Sequence, residues 1–575
     1  MSATNVTING IKINIPANTS ILHAAEAAGI KIPTLCFHPD QEIKANCRIC
    51  VVEVEGQRNL MPACATEVKE GMVIKTTTAR VMEARRTILE LLLAHHPQDC
   101  LHCVRSGECE LQELSSEYDV RNNRFSQENA HLPVDYSSPS IVRDPNKCIL
   151  CCRCIEFCNT RQTVNALGLA YRGFDTKVLP SIGQDLFESP CVNCGQCIHV
   201  CPVGAIAGRE QIREFLAAAA DANKVVVTQI APAVRLAVSE AFGGRNEELS
   251  MGQLVNGLRM LGFDHVLPTN FTADLTIMEE ASELLERING SKTLPMFTSC
   301  CPAWVRFAEI FYPGFLGHLS TCKSPQQMFG ALVKTYWADK MGINPEKIFS
   351  VSIMPCTAKK YEAVRPEMVD SRYSDVDMVL TTSEIIRLFK MSGINPLLLG
   401  DTAFDPWMGE YTGAGVLFAA SGGVMEAALR TVYEEVTNKK LDQIEFSEVR
   451  GMQGVKEATV NLDGTLVKVA AVHTLSNARL LMEQVAAGKS PYHFIEVMAC
   501  PGGCIGGGGQ PLTRTDQQRN RRMDAIYTED RSQPVRKSHE NTDVKILYND
   551  FLHQALGHKS HELLHTSYTV KRKNT

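Results

Sequence analysis

Twenty-two cysteines are spread over 575 residues, and all but six precede residue 210. Most of these fall into groups whose spacing suits metal ligation, because thiolates are soft ligands for iron and zinc. The clearest groups are Cys148-x2-Cys151-x2-Cys154-x3-Cys158 and Cys191-x2-Cys194-x2-Cys197-x3-Cys201, the second followed by Pro202. This is the bacterial two-cluster spacing, in which the fourth cysteine of each run serves the other run's 4Fe–4S cluster. It assigns one cluster to Cys148, Cys151, Cys154 and Cys201, and a second to Cys158, Cys191, Cys194 and Cys197. Zinc also binds CxxC pairs but rarely takes eight cysteines in this order. Cys152 is out of register and reads as a bystander.

Two further groups precede these runs. Cys36-x10-Cys47-x2-Cys50-x13-Cys64 resembles the plant-type 2Fe–2S arrangement, with a longer first gap than usual. Zinc-ribbon ligation stays open for this group. Cys100-x2-Cys103-x5-Cys109 supplies only three thiolates, so a fourth ligand is needed. Spacing leaves both His95 and His96 as imidazole candidates.

The six remaining cysteines lie in TSCCPAW (Cys300, Cys301), HLSTCKS (Cys322), MPCTAKK (Cys356) and ACPGGCIGGGGQ (Cys500, Cys504). Adjacent residues of an extended chain project to opposite faces, and a vicinal disulfide is strained. Cys300 and Cys301 therefore do different jobs. One of them with Cys356, Cys500 and Cys504 makes four thiolates, enough for another cubane. The glycine run allows backbone N–H groups close to cluster sulfur and lacks the Lys-Ser/Thr ending of a phosphate loop. Upstream, TIMEEASELLERI places Glu280, Glu283 and Arg287 on one helix face, which taken alone is a solvated face. Cys322 reads as a small buried hydrophobe.

These groups need elements to hold them. Residues 1 to about 80 mix short β-rich runs (VTINGIKINI, CRICVVEVEG, GMVIKTTT) with a helical ILHAAEAAG, which suits a small α+β domain. A helical pattern follows and ends at Pro97. Residues 139–209 are cysteine-dense and too poor in apolar residues to fold without metal. Beyond Ile212, valine-rich strands (KVVVTQI, IFSVSIMP, VDMVLTT, HFIEVMA) alternate with amphipathic helices, predicting an α/β domain.

Composition narrows the function. The 58 basic and 64 acidic residues give a net charge of −6, with no electrostatic footprint for nucleic acid. The N-terminus lacks the n- and h-regions of a secretory signal, and no apolar stretch is long enough to span a bilayer. We expect a cytoplasmic protein with no nucleic-acid or membrane partner. So many thiols in that setting argue for metal or redox work, not for a disulfide framework.

TSCCPAW, MPCTAKK and ACPGGCIGGGGQ resemble the three signature stretches of the [FeFe]-hydrogenases, and the accessory-cluster order ahead of them is similar to that of the large members of the family. The resemblance implies a multidomain α/β plus α+β protein. Its parts would be a plant-type 2Fe–2S ferredoxin-like domain (1–80), a His/Cys3 4Fe–4S domain (81–126), a linker (127–138), a bacterial-type domain with two 4Fe–4S clusters (139–209) and a catalytic domain (210–575) with two twisted sheets flanked by helices. The catalytic domain would hold an H-cluster, a 4Fe–4S cubane joined to a diiron unit with CO, CN⁻ and azadithiolate. Its cubane ligands would be Cys301, Cys356, Cys500 and Cys504, with Cys504 bridging. Lys359 would hydrogen-bond a cyanide. Met354 and Met498 would pack around the diiron unit, Gln326 would lie near it, and Ala231 and Pro232 would face the other cyanide. Ala233 departs from the family, where serine is common, so a hydroxyl contact is missing. His96 becomes the preferred imidazole ligand. Nineteen of the 22 cysteines are then ligands, leaving Cys152, Cys300 and Cys322. The resemblance makes Cys300 a protonatable thiol at the head of a proton path through Glu280, Ser320 and Glu283, with Arg287 near the exit.

The implied reaction is 2H⁺ + 2e⁻ ⇌ H₂, with three accessory 4Fe–4S clusters and one 2Fe–2S cluster carrying electrons to and from a ferredoxin or similar carrier. The N-terminal 210 residues also resemble electron-input subunits of complex I and of NAD(P)-linked hydrogenases, so flavin- and NAD(P)-binding partner subunits are the alternative. Separate maturases would assemble the diiron unit. A non-catalytic, hydrogenase-like assembly or sensor protein is a third reading. Retention of Cys300, Lys359, Met354, Met498 and the Glu280/Glu283 pair argues against it.

Overall fold

Alternating polar and apolar residues at the N-terminus fold as expected for a half-buried sheet: in β1 (Ala3–Ile8), Val6 and Ile8 point into the core. In this computed structural model, residues 3–121, 123–125, 131–181, 184–290, 293–513 and 515–571 are described. Of the expected linker, residues 127–130 lie outside the described residues. β1 pairs with β2 (Ile11–Pro16) and joins β3 (Val51–Val54), β4 (Met61–Pro62) and β5 (Val73–Lys75) in a five-stranded sheet, ordered β2-β1-β5-β3-β4. The Ile21–Ala27 helix, capped by Ser20, buries Ile21, Leu22, Ala24 and Ala25 against it. The helix expected to stop at Pro97 runs from Ala79 to Ala94 and starts from a Thr78 cap.

The cysteine-dense segment has little regular structure. It carries β6 (Ile141–Arg143), β7 (Gly168–Ala170), β8 (Lys177–Leu179) and β9 (Ile206–Gly208), paired β6–β9 and β7–β8. Its core is largely sulfur and aliphatic, with Cys151, Cys154 and Cys201 among Ile149, Ile155 and Val203.

The large domain is built on two four-stranded sheets. The first has the order β11-β10-β13-β14, from β10 (Val225–Ile230), β11 (His265–Pro268), β13 (Ile348–Met354) and β14 (Met378–Thr381), all parallel. Helices cover such a sheet on both faces, which explains its continuous Val/Ile runs. The second has the order β12-β17-β16-β15, from β12 (Met296–Phe297), β15 (Val455–Leu462), β16 (Thr465–His473) and β17 (Phe494–Met498). There β12 and β16 flank β17 in parallel, and β15 pairs antiparallel with β16. The sequence reading did not single out β12 or this hairpin, although Asp463-Gly464, both at positive φ, is the two-residue turn that the hairpin requires.

Candidate active site

Four loops leave the carboxyl ends of parallel strands, two from each sheet, and that end of an α/β sheet is where sites collect. Ala231 and Pro232 follow β10, and Pro355 and Cys356 follow β13. The Thr298–Cys301 stretch follows β12, and Ala499–Cys504 follows β17. They close on one cavity whose walls include Cys300, Cys301, Cys356, Cys500 and Cys504 together with Lys359. Ala231, Pro232, Ala233, Gln326, Met354 and Met498 line the same cavity. All the residues that the resemblance set around a cubane and its diiron unit are therefore gathered in one place.

The two adjacent cysteines differ as backbone alternation required. Cys301 is the extended N-cap of the Pro302–Phe311 helix, and its Sγ accepts the Ala499 N–H at 3.5 Å. Burial pushes its thiol up, as it does for Cys500, and it pushes Cys356 up to about 12. Cys504 is raised by burial and then by the neighbouring thiols Cys356 and Cys301. Four thiols raised by burial in one dry pocket, three of them further by their neighbours, become thiolates only against a cationic centre, so this donor set fits an iron–sulfur cubane. Gln326 adds a second indication. Its Nε2 donates to Lys359 O (3.3 Å) and Glu362 (3.1 Å), while its buried Oε1 on the cavity wall has no hydrogen-bond partner among the described residues.

Lys359 is the cavity's cation. Its Nζ donates to Glu362 Oε2 at 2.8 Å and to the Cys300 carbonyl at 3.2 Å. Burial lowers its pKa, but Glu362 and the thiols more than reverse that, so the ammonium persists. Glu362 is a residue the sequence reading missed. It stands three positions after Lys359 on one helix face, where an ion pair is readable, and it also accepts from Ser324 at 2.9 Å.

Cys300 sits beside Glu280. Burial, then the Glu280 charge, holds its thiol well above the ordinary value, so it is protonated. Glu280 is pushed up to about 8 by burial and by Glu283; its carboxyl faces Ser320 and the Ser299 backbone without a well-formed hydrogen bond to either. Ser320 Oγ donates to Glu283 Oε2 at 3.0 Å, and Arg287 pairs with Glu283 Oε1 at 2.6 Å. Glu280, Glu283 and Arg287, expected on one face of the Thr269–Asn289 helix, are all buried, so the face is not solvated.

The other cysteine groups also converge. Cys158, Cys191, Cys194 and Cys197 line one cavity, while Cys148, Cys151, Cys154 and Cys201 line another. The fourth cysteine of each run thus faces the other run's site. Cys152, at φ 62°, borders the second of these. Cys50 and Cys64 sulfurs lie 3.4 Å apart, and Cys47 is the neighbour that lowers the Cys36 thiol. Buried His96 Nδ1 has no partner among the described residues, and burial lowers its pKa, which keeps the imidazole neutral and suited to iron. A Cβ on Gly204 would meet Cys103 Sγ at 2.5 Å, so the three-cysteine group packs directly on the segment after Cys201. Gln196 Nε2 donates to Gly506 O and His199 Nε2 lies 2.8 Å from Gly507 O, tying the cysteine-dense segment to the glycine run on the cavity wall.

Family profiles match the chain in the same order. They are a 2Fe–2S iron-sulfur cluster binding domain (2–79), an NADH-ubiquinone oxidoreductase-G iron-sulfur binding region (85–124), an NADH-quinone oxidoreductase subunit 3 ferredoxin-like domain (138–207), the C-terminal domain of the iron only hydrogenase large subunit (224–508) and the iron hydrogenase small subunit (516–571). The chain is 48% identical to the NADP-reducing hydrogenase subunit HndD of Solidesulfovibrio fructosivorans, over 100% of both chains. It is 39% identical to iron hydrogenase 1 of Clostridium pasteurianum, over 98% of this chain and 99% of that one. The solved apo [FeFe]-hydrogenase HydA1 of Chlamydomonas reinhardtii superposes with a TM-score of 0.57 at 42% identity, over 63% of this chain and 99% of that one. Full-length identity at this level, on top of the gathered cysteines, makes the chain a member of the [FeFe]-hydrogenase family, a hydrogenase with iron–sulfur domains ahead of its catalytic domain.

Proposed function

We propose that the chain catalyses 2H⁺ + 2e⁻ ⇌ H₂ at an H-cluster that Cys301, Cys356, Cys500 and Cys504 would hold. The observation that carries this reading is the fifth cavity cysteine: Cys300 stays a protonated thiol beside the four ligands, and buried Glu280 stands behind it. When bound, the cluster supplies the redox centre at which H₂ is made or split. The chain's own task is to move protons and exclude water. The Cys300 thiol exchanges a proton with the cavity, Glu280 exchanges one with Cys300, and Ser320 links Glu280 to Glu283. A carboxyl group poised near pH 8 suits transfer in either direction. Lys359 would offer its ammonium to a cyanide of the bound group, and Met354, Met498, Gln326, Ala231 and Pro232 shape the rest of the wall. Ala233 supplies no hydroxyl there.

Cys36, Cys47, Cys50 and Cys64 would hold one 2Fe–2S cluster, His96, Cys100, Cys103 and Cys109 one 4Fe–4S cluster, and the eight remaining ligands a crossed pair of 4Fe–4S clusters; bound there, these groups would supply one-electron transfer. The corresponding domains are 1–80, 81–126 and 139–209, with 210–575 catalytic. A ferredoxin-like carrier is one partner. The second reading makes the chain the catalytic subunit of an NADP-linked assembly, and its full-length likeness to an NADP-reducing hydrogenase subunit favours it. No helix among the described residues is long and apolar enough to cross a membrane. The test is infrared spectroscopy of protein matured with the diiron unit, joined to H₂ assays with ferredoxin and with NADPH. CO and CN⁻ bands with H₂ turnover are expected, and their absence after maturation would sink the reading.

A further inference from the structure

The Cys500–Cys504 loop is gripped from outside the cavity by a segment that the sequence reading did not mark. The Ser421 N–H donates to Gly502 O and the Ile505 N–H donates to Ala419 O, each at 3.0 Å. These two bonds bracket Gly503 and Cys504. A Cβ on Gly503, which has φ 96°, would lie 2.5 Å from the Ser421 nitrogen, so the two backbones touch. The same segment reaches the cavity, where Phe418 and Ala419 form part of the wall.

One peptide of that segment, Ser421–Gly422, lies between two buried charged side chains, Lys456 on β15 and Glu496 on β17. Its carbonyl accepts from Lys456 Nζ at 2.5 Å, and its N–H donates to Glu496 Oε1 at 2.6 Å. Lys456 Nζ also donates to Gly451 O at 3.1 Å and to Ser421 Oγ at 3.3 Å. Met452, next to Gly451, packs on the same loop: a Cβ on Gly502 would meet its sulfur at 2.8 Å. Glu496 Oε2 accepts the Met425 N–H at 2.7 Å, so the carboxylate caps the Gly423–Thr437 helix, where Gly422 brings no side chain of its own. Burial pushes Lys456 down to about 8, and Glu496 opposes that. Burial raises Glu496, and Lys456 with the helix N–H groups opposes that. Each charge supports the other across the peptide between them. Gly422, at φ 92°, permits the approach, because a Cβ there would strike the Val449 carbonyl and lie 3.2 Å from Lys456 Nζ.

We propose that Lys456 and Glu496 are positioning residues for Cys504: holding the Ser421–Gly422 peptide at both ends, they press residues 419–421 onto the Gly502–Ile505 backbone and so fix where the Cys504 sulfur stands. The proposal rests on the reading of Cys504 as a cubane ligand. Neither side chain lines the cavity, so both act through the backbone and not on the reacting atoms. A cation at the peptide oxygen and an anion at its N–H make two charge-assisted bonds in a dry setting, which hold the peptide plane against rotation more firmly than neutral partners would.

The test uses the full chain carrying its iron–sulfur clusters, with Lys456→Met, Glu496→Gln, the two combined, and Ser421→Ala as a control that keeps the peptide carbonyl. Amide hydrogen exchange of residues 419–422 and 502–505, read by mass spectrometry, is expected to quicken about tenfold or more in each charge variant. The double variant is expected to exchange no faster than the faster single one, because both substitutions release the same peptide. Ser421→Ala is expected to match wild type. After maturation with the diiron unit, the CO and CN⁻ infrared bands are expected to move in both charge variants and to stay in place in Ser421→Ala. Wild-type exchange with unmoved bands in folded Lys456→Met or Glu496→Gln would overturn the proposal. Effects that add in the double variant, or that Ser421→Ala reproduces, would overturn it too. Glu496→Gln nearly preserves size and carries the test even if Lys456→Met fails to fold. Intact cubane iron in Cys504→Ala would instead overturn the ligand reading, and the exchange rates would still judge the grip on the loop.

Discussion

Cys300 and Cys301 are neighbours in sequence with opposite duties, and the difference is positional. Cys301 starts a helix and points at three other cavity thiols, whereas Cys300 meets Glu280 and offers its carbonyl to Lys359. Cys300→Ala is therefore expected to assemble every cluster, as iron content and infrared bands will report, and yet to lose nearly all H₂ turnover. Normal evolution by that variant would remove the relay role. Glu280 allows a prediction with a definite sign. Its folded pKa is raised from 4.5 to about 8, so the folded chain holds a proton that the unfolded chain releases between those two values. Stability from this group is fully present below pH 4.5 and falls as pH rises to about 8, at about 1.4 kcal/mol per unit of separation before local relaxation. Glu280→Gln, which cannot ionise, should unfold later than wild type at pH 8 and show little advantage at pH 5. The same substitution should depress turnover. Thermal unfolding at the two pH values, with equal or lower stability of Glu280→Gln at pH 8, would show that the carboxyl is not held neutral.

Elements, more than single residues, bring the clusters together. Much of this was legible: alternation marked β1 and β2, valine-rich runs marked β10, β13, β14 and β17, and the cysteine spacing anticipated the crossed sets that line two separate cavities. The facing of the two sheets was not, because no local pattern says that β12 and β17 end opposite β10 and β13. Nor was His565, which reaches Glu283 through Thr321 across 244 residues of chain, a contact without any periodic signal. The junction between the two-cluster segment and the glycine run is of this kind too. A Cβ on Gly508 would strike the Cys194 carbonyl and lie 2.7 Å from Gly195 Cα, so the two backbones touch with no side chain between them. Gly508→Ala should push the segments apart, at a cost of about 1–3 kcal/mol of stability. It should also slow reduction of the catalytic cubane by the accessory clusters, read by freeze-quench paramagnetic resonance. Unchanged cubane reduction in a folded Gly508→Ala protein would mean that the electrons do not cross there.

At the scale of the molecule, the accessory segments are docked on the catalytic domain and not loosely tethered to it. Gln162 Nε2 donates to Ala499 O beside the cavity while its Oε1 accepts the Leu475 N–H, Arg306 Nε donates to Cys191 O, and Arg519 pairs with Asp40. Such buried polar contacts hold cluster-to-cluster geometry fixed, so the choice of electron partner falls to whatever meets the far clusters. The physical chemistry of the partners then separates the two readings. Iron–sulfur clusters pass electrons one at a time, while NADP⁺ accepts a hydride, two electrons at once, so a cofactor that converts between the two modes must stand between them. The cluster sites proposed for this chain would serve the first mode. With H₂ as donor, the purified matured chain is expected to reduce a ferredoxin or a one-electron dye, and to leave NADP⁺ untouched until flavin-bearing subunits are added. Pull-down of native complexes under anaerobic conditions, followed by flavin analysis, will show whether such subunits accompany it. NADP⁺ reduction by the isolated chain at a rate near that with ferredoxin would contradict this division of labour, and would require a two-electron site in the chain itself.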